Sequence, residues 1–208
     1  MGAASRAEGG GGRQQQRSAA TRAKLIKAAR ALFAKRGYAD VATEEIVRRA
    51  GVTRGALYHQ FPAKDDLFLA VYEQVEQELT ERVAGSLGTI AEGSSPPSPL
   101  AAMRAGARAF LEECRAPEVQ RIVLIDGPSI LGWERWREVA DSYGLGLIEA
   151  VVRAALDAGE IDGVDPVALA HVLMGALDEA ALLVVREPGS TDAVAATIER
   201  LLDGLRAR

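Results

Sequence analysis

The sequence predicts an all-α fold of about nine helices, on three observations. Only 5% of the 208 residues are aromatic, while Ala, Leu, Glu and Arg recur throughout, and these side chains lose little rotamer freedom in a helix. Apolar residues return every three or four positions along most of the chain, the period of a helix buried on one face. The periodic stretches open on helix-start chemistry: Thr43, Thr53, Ser98-Pro99 and Asp165-Pro166, where a side-chain oxygen caps free amides and Pro fits the first turn.

Residues 1–17 carry Gly9 to Gly12, Gln14 to Gln16 and Arg6, Arg13 and Arg17, a polar composition that predicts a flexible basic arm. Over 18–35, Leu25, Ile26, Ala29, Leu32 and Phe33 predict an amphipathic helix that Gly37 stops. Thr43 caps the next helix, with Glu44 and Glu45 in its first turn and Ile46, Val47 and Ala50 inward. Gly51 ends it, and Thr53 caps a short helix through Tyr58. Two short helices joined by a Gly turn form a helix-turn-helix. After Pro62 a long helix starts near Ala63, with Leu67, Val71, Val75, Leu79, Val83 and Leu87 four apart. The stretch 92–99 reads as a loop, followed by helices over 100–114 and 117–125. Gly127-Pro128 should break the pattern before a segment over 129–158, bent at Gly144 or Gly146. The span 165–185 is apolar nearly all round, and 190–205 makes a last amphipathic helix. These elements divide as arm 1–17, helix-turn-helix domain 18–64 and helical body 65–208.

Charge separates the same pieces. The net charge is only −4, but residues 1–62 hold twelve Lys and Arg against four Asp and Glu, and 63–208 hold thirteen against twenty-five. A basic module on an acidic body fits a segment that meets a polyanion and a body that does not. The single Cys114 excludes an internal disulfide, and the two histidines, His59 and His171, lie far apart. No His-Glu-x-x-His, Gly-x-Ser-x-Gly or phosphate-loop motif occurs, so neither an enzyme nor a metal or other cofactor is expected. Residues 1–12 show no apolar leader, which suits a cytoplasmic protein. The span 165–185 has membrane-like length, yet His171, Asp178 and Glu179 interrupt it. An acidic side chain at a bilayer centre costs about 2.5 to 3.5 kcal/mol, so no membrane partner is expected.

The core Ala50-Gly51-Val52-Thr53-x-Gly55-x-Leu57-Tyr58, followed by Phe61-x-x-Lys64 and preceded by the helix ending at Gly37-Tyr38, resembles the DNA-binding signature of the tetracycline-repressor (TetR) family. The resemblance covers roughly residues 20–70. It implies a three-helix helix-turn-helix domain followed by a helical ligand-binding and dimerising domain, and a sequence-specific transcriptional regulator, by default a repressor. The residues support that reading independently: Thr53, Arg54, Gly55 and Ala56 begin the short helix, and recognition helices present such positions to base edges. Arg54 suits bidentate contact with guanine. By resemblance to the family motif, Thr43, Tyr58, His59, Gln60 and Lys64 are backbone contacts on a double-stranded operator, with Gln60 standing where the family usually has His.

In the body, Met103, Phe110, Trp133, Trp136, Tyr143 and Met174 are candidates to line a largely apolar small-molecule pocket, with Asp126, His171 and Asp178 as its polar groups. The same residues at helical spacing also suit ordinary core packing. The helix over 165–185 is too apolar for one chain to cover, and the last helix offers a matching stripe. Leu173, Leu177 and Leu182 with Ile198, Leu201 and Leu205 therefore form the expected homodimer seam, a four-helix bundle about a two-fold axis. The expected function is a repressor released from a palindromic operator by a small molecule. The alternatives are an activator or a nonspecific or scaffold-type binder.

Overall fold

Leu25, Ala29 and Phe33 are fully buried along one side of helix α1 (Glu8–Arg36), and they set the first of two units. The computed structural model describes residues 8–91 and 98–207. Arg6 and residues 92–97, most of the stretch expected to be a loop, lie outside the described residues, as do the side chains of Arg13 and Leu87. The chain divides into two compact units, the first ending at Glu73 and the second beginning at Gln74.

In the first unit α1 packs on α2 (Thr43–Ala50) and α3 (Arg54–Gln60). α1 begins at Glu8, so much of the expected flexible arm is helical. Gln and Arg are good helix formers, and residues 14–17, all exposed, extend by cheap propagation a helix already nucleated by packing further on. Gly37, at φ 82°, turns the chain after α1 and donates its amide to the Phe33 carbonyl at 2.7 Å. Thr43 is the first helical residue of α2 rather than its cap. Ala42 takes the extended cap conformation, and the Thr43 hydroxyl donates to Glu44 Oε2 at 3.2 Å instead. Gly51 closes α2 at φ 65°, the left-handed turn that lets α3 cross. Ile46, Leu57, Phe61, Leu67 and Phe68 complete the core, with Phe33 and Phe68 meeting edge to face at 5.5 Å between centroids.

The long helix α4 (Lys64–Ala91) contains the division between the units. Asp66 accepts from the Ala63 amide at 2.9 Å and so caps its start. The four-residue stripe is buried as its period requires: Leu67, Val71, Val75, Leu79 and Val83.

The second unit is built on α5 (Pro99–Glu113), α8 (Gly146–Asp157), α9 (Pro166–Arg186) and α10 (Thr191–Asp203), around Leu111, Val152, Ile161, Val184, Ile198 and Leu202. Ser98 caps α5 and Asp165 caps α9, accepting from the Ala101 and Ala168 amides. Between α5 and α8 the chain departs from the expected helices. A single turn, α6 (Pro117–Val119), continues as wide π turns over Gln120–Asp126. These turns place Ile122, Val123 and Leu124, three in succession, inside. Gly127-Pro128 does not break the chain, because Pro128 sits in the first turn of α7 (Gly127–Ala140), where its missing amide costs nothing. The break lies at Gly132, φ 75° and ψ 162°, a conformation open to glycine alone. A second set of π turns, Asp141–Leu145, contains Gly144 and leads into α8. A Cβ on Gly144 would come within 3.2 Å of Met174 Cε, the terminal methyl of a flexible side chain on α9.

Candidate nucleic-acid interface and ligand cavity

The helix-turn-helix is held by caps that leave its reading end open. Thr53 Oγ1 accepts from the Ala56 amide at 3.1 Å and fixes the first turn of α3. Leu57 is wholly buried, while Thr53, Arg54, Gly55, Tyr58 and His59 are exposed. A Cβ built on Gly55 meets nothing within 4 Å. The fold itself therefore does not require glycine there, and the missing side chain matters only to what docks against α3. Arg54 Nη1 stands 3.2 Å from Glu44 Oε1, and its guanidinium lies 5.6 Å from the Tyr58 ring centroid. The Glu44 carboxyl is held below its usual range by hydrogen bonds from its own amide and from Thr43, with Arg54 adding charge. Thr43, Arg54 and Tyr58 thus form one cluster through Glu44, a residue the sequence reading missed. Its signal was there, since Glu44 sits in the first turn of α2 next to Thr43.

Gln60 and Lys64 are placed differently. Gln60 Nε2 donates to Ser18 Oγ at 2.7 Å, tying α3 to α1. With His59 it borders a polar groove whose far side is Gln14, Arg17 and Thr21. Lys64 Nζ donates to the Tyr38 carbonyl at 2.6 Å and stands 3.8 Å from that ring's centroid. It is half-buried, with its ammonium already engaged.

The second unit contains a partly open cavity of ≈ 140 Å³ walled by α4, α5, the π turns after α6, and α7 to α10. Met103, Phe110, Trp136, Met174 and Asp178 line it as expected. Asp126, Trp133, Tyr143 and His171 do not. The Gly132 turn leaves Trp133 67% exposed, tilted against Trp136 at 5.2 Å between centroids. His171 lies on the exposed side of α9, Asp126 is buried facing Arg121, and Tyr143 sits in the π turns. Glu76, Leu79, Thr80 and Val83 of α4 were missed, although a polar pair four apart beside an apolar stripe is a legible signal.

Asp178 is the best-defined polar group here. Arg137 Nη1 donates to its Oδ2 at 2.8 Å. Burial pushes its carboxyl above the ordinary range, and the Arg137 charge and hydrogen bond oppose that shift. The Trp136 indole N–H is buried with no acceptor.

The expected dimer stripe is redistributed. Ile198 is buried in its own unit, and Leu173, Leu177, Ile198 and Leu201 border the cavity. Leu182 and Leu205 are half-buried. α10 carries apolar residues on more than one face: Ile198 and Leu202 turn inward, and Leu201 is 62% exposed. On α9 the exposed large apolar residues are Val167 and Val172.

Residues 25–71 match the family described as bacterial regulatory proteins, tetR family. Residues 100–205 match the tetracyclin repressor-like C-terminal domain. A TetR-family transcriptional regulator from Pectobacterium atrosepticum, known from its crystal structure, is 32% identical over 93% of this chain and 97% of its own, with a TM-score of 0.80. The chain belongs to the TetR family. Among curated relatives, the transcriptional regulator CymR of Pseudomonas putida is 38% identical over 74 residues, 36% of each protein. The Tn10 TetC protein of Escherichia coli is 26% identical over 151 residues, 73% of each. The match over 25–71 takes in the helix-turn-helix with its exposed Arg54 face, so this TetR-family chain is a DNA-binding transcriptional regulator. The C-terminal match takes in every wall of the cavity except α4.

Proposed function

We propose that this regulator is a homodimeric, cytoplasmic repressor, released from a palindromic operator by a small, largely apolar molecule that enters the cavity of the second unit. It acts by binding, not catalysis. The observation that carries the reading is the cavity: a partly open apolar space with a few polar groups, in the unit that does not carry the helix-turn-helix. Such a space is the form a small-molecule site takes.

Arg54 reads base edges, and Thr43, Thr53, Tyr58, His59 and the Gln60 groove meet the phosphate backbone. One seven-residue recognition helix buries too little surface for tight specific binding, so two copies are needed. α9 supports pairing: only 28% of its most apolar eighteen residues is buried within one chain. Val172 and Leu201 supply an exposed apolar surface for a second copy. A ligand releases DNA only through its differential affinity for two states, and about 3 kcal/mol corresponds to a roughly 150-fold loss of operator affinity.

The test is to select binding sites from genomic DNA with the full-length protein. The adjacent genes' substrates and products are then screened for release of labelled operator. A releasing compound whose effect is lost in Ala107→Phe, which fills the cavity wall, supports the reading. A releasing compound that acts equally on Ala107→Phe, or binds before Pro62, contradicts it.

A further inference from the structure

The cavity carries a charge signature that separates ligand classes; the inference deepens the ligand-release reading above and rests on it. The walls are apolar except at Glu76, Thr80, Asp178 and the Trp136 indole. Among the described residues both ionisable side chains on the wall are carboxylates, and no Lys, Arg or His lines it. Arg137 stands beside the wall, already donating to Asp178 and with its Nε 3.9 Å from Asp141 Oδ1, so one guanidinium serves two carboxylates. The buried Cys114 thiol lies near the same carboxylates. Burial pushes it up first, and the negative charges of Glu76, Asp178 and Glu113 push it further. Away from bulk water such fields are screened weakly. A carboxylate ligand therefore meets repulsion and must take Arg137 from Asp178, whereas a cation meets attraction and relieves the cost of Asp178 burial.

We propose that the cavity selects a small hydrophobic amine, its protonated nitrogen set against Asp178 and Glu76 and its apolar body among Leu79, Met103, Phe110 and Met174. The volume sets the size. A dry cavity of about 150 Å³ accommodates benzene, so ≈ 140 Å³ suits a single small ring, with any short substituent reaching toward the cavity's open side. Trp136 adds an aromatic wall whose ring already has the Arg137 guanidinium 5.8 Å from its centroid, so its contribution to a ligand is apolar contact more than cation attraction. Its acceptor-less indole N–H is the feature that favours an acceptor on the ligand instead.

The experiment is calorimetry on the full-length protein with three near-isosteric probes: benzylamine, benzyl alcohol and benzoate. Benzylamine should bind at least tenfold more tightly than benzyl alcohol, and benzoate more weakly than either. Glu76→Gln and Asp178→Asn, each checked for native circular dichroism, should bring the amine-to-alcohol ratio toward one. If a variant does not fold, the wild-type series decides alone. Benzyl alcohol binding as tightly as the amine, benzoate binding most tightly, no probe binding at millimolar concentration, or a ratio unmoved by both variants overturns the inference. Alcohol or benzoate binding best and releasing operator overturns it while leaving ligand release intact. Benzylamine binding as described without releasing operator upholds the charge selection and counts against ligand release.

Discussion

Arg54, the side chain at the start of the recognition helix, is paired with Glu44 across the helix-turn-helix at 3.2 Å. The pair is solvent-exposed, so it is weak and screened by salt. It nevertheless keeps a negative charge on a face meant for a polyanion and holds the guanidinium near Tyr58. Glu44→Gln should strengthen binding to nonoperator DNA more than to operator, by several-fold at low salt, and so narrow the ratio between them. Titrations of both DNAs at two salt concentrations check this; an unchanged ratio would separate Glu44 from Arg54 in function.

Arg54→Ala should relax preference at one base pair per half-site, a loss of about 1 to 3 kcal/mol of discrimination there. Binding-site selection reads it directly. Lys64→Ala should instead lower affinity for all sequences equally, through the loosened helix-turn-helix fold and not through a lost phosphate contact. It should also lower the melting temperature, because Lys64 holds the Tyr38 carbonyl at 2.6 Å. Unchanged specificity in Arg54→Ala would remove its base-reading role.

The three-helix frame was legible in the sequence because caps, stops and stripes are local chemistry: Thr53, Gly37, Gly51 and the α4 stripe sit as their residue types require. The cavity was legible only in part. Met103, Phe110, Trp136, Met174 and Asp178 lie on its wall, but Trp133, three residues from Trp136, is turned out by the Gly132 backbone. The π turns shift register in the same region, and helical spacing of 3.6 cannot anticipate either change. The arm failed for another reason: composition near a helix start says little once packing elsewhere has nucleated the helix.

Exposed and buried positions of α10 should respond differently to substitution. Leu201→Glu should yield a folded monomer by sedimentation, with operator binding lost. Ile198→Ala should lower stability by about 2 to 5 kcal/mol, as core truncations do. A Leu201→Glu protein that stays dimeric and binds operator would remove α10 from the interface.

Cys114 is fully buried and its thiol is pushed up by burial. Alkylation at pH 8 should therefore be negligible in the native protein and rapid in urea, which makes this single cysteine a reporter of unfolding. Fast native labelling would show that the end of α5 opens readily.

Footprinting of the full-length protein on a selected genomic operator tests dimeric, sequence-specific recognition most directly. Protection should cover a pseudo-palindrome, its half-sites centred about 34 to 36 Å apart or slightly more, with matching contacts in both halves. Tight, specific protection of a site without two-fold sequence symmetry would contradict dimeric recognition.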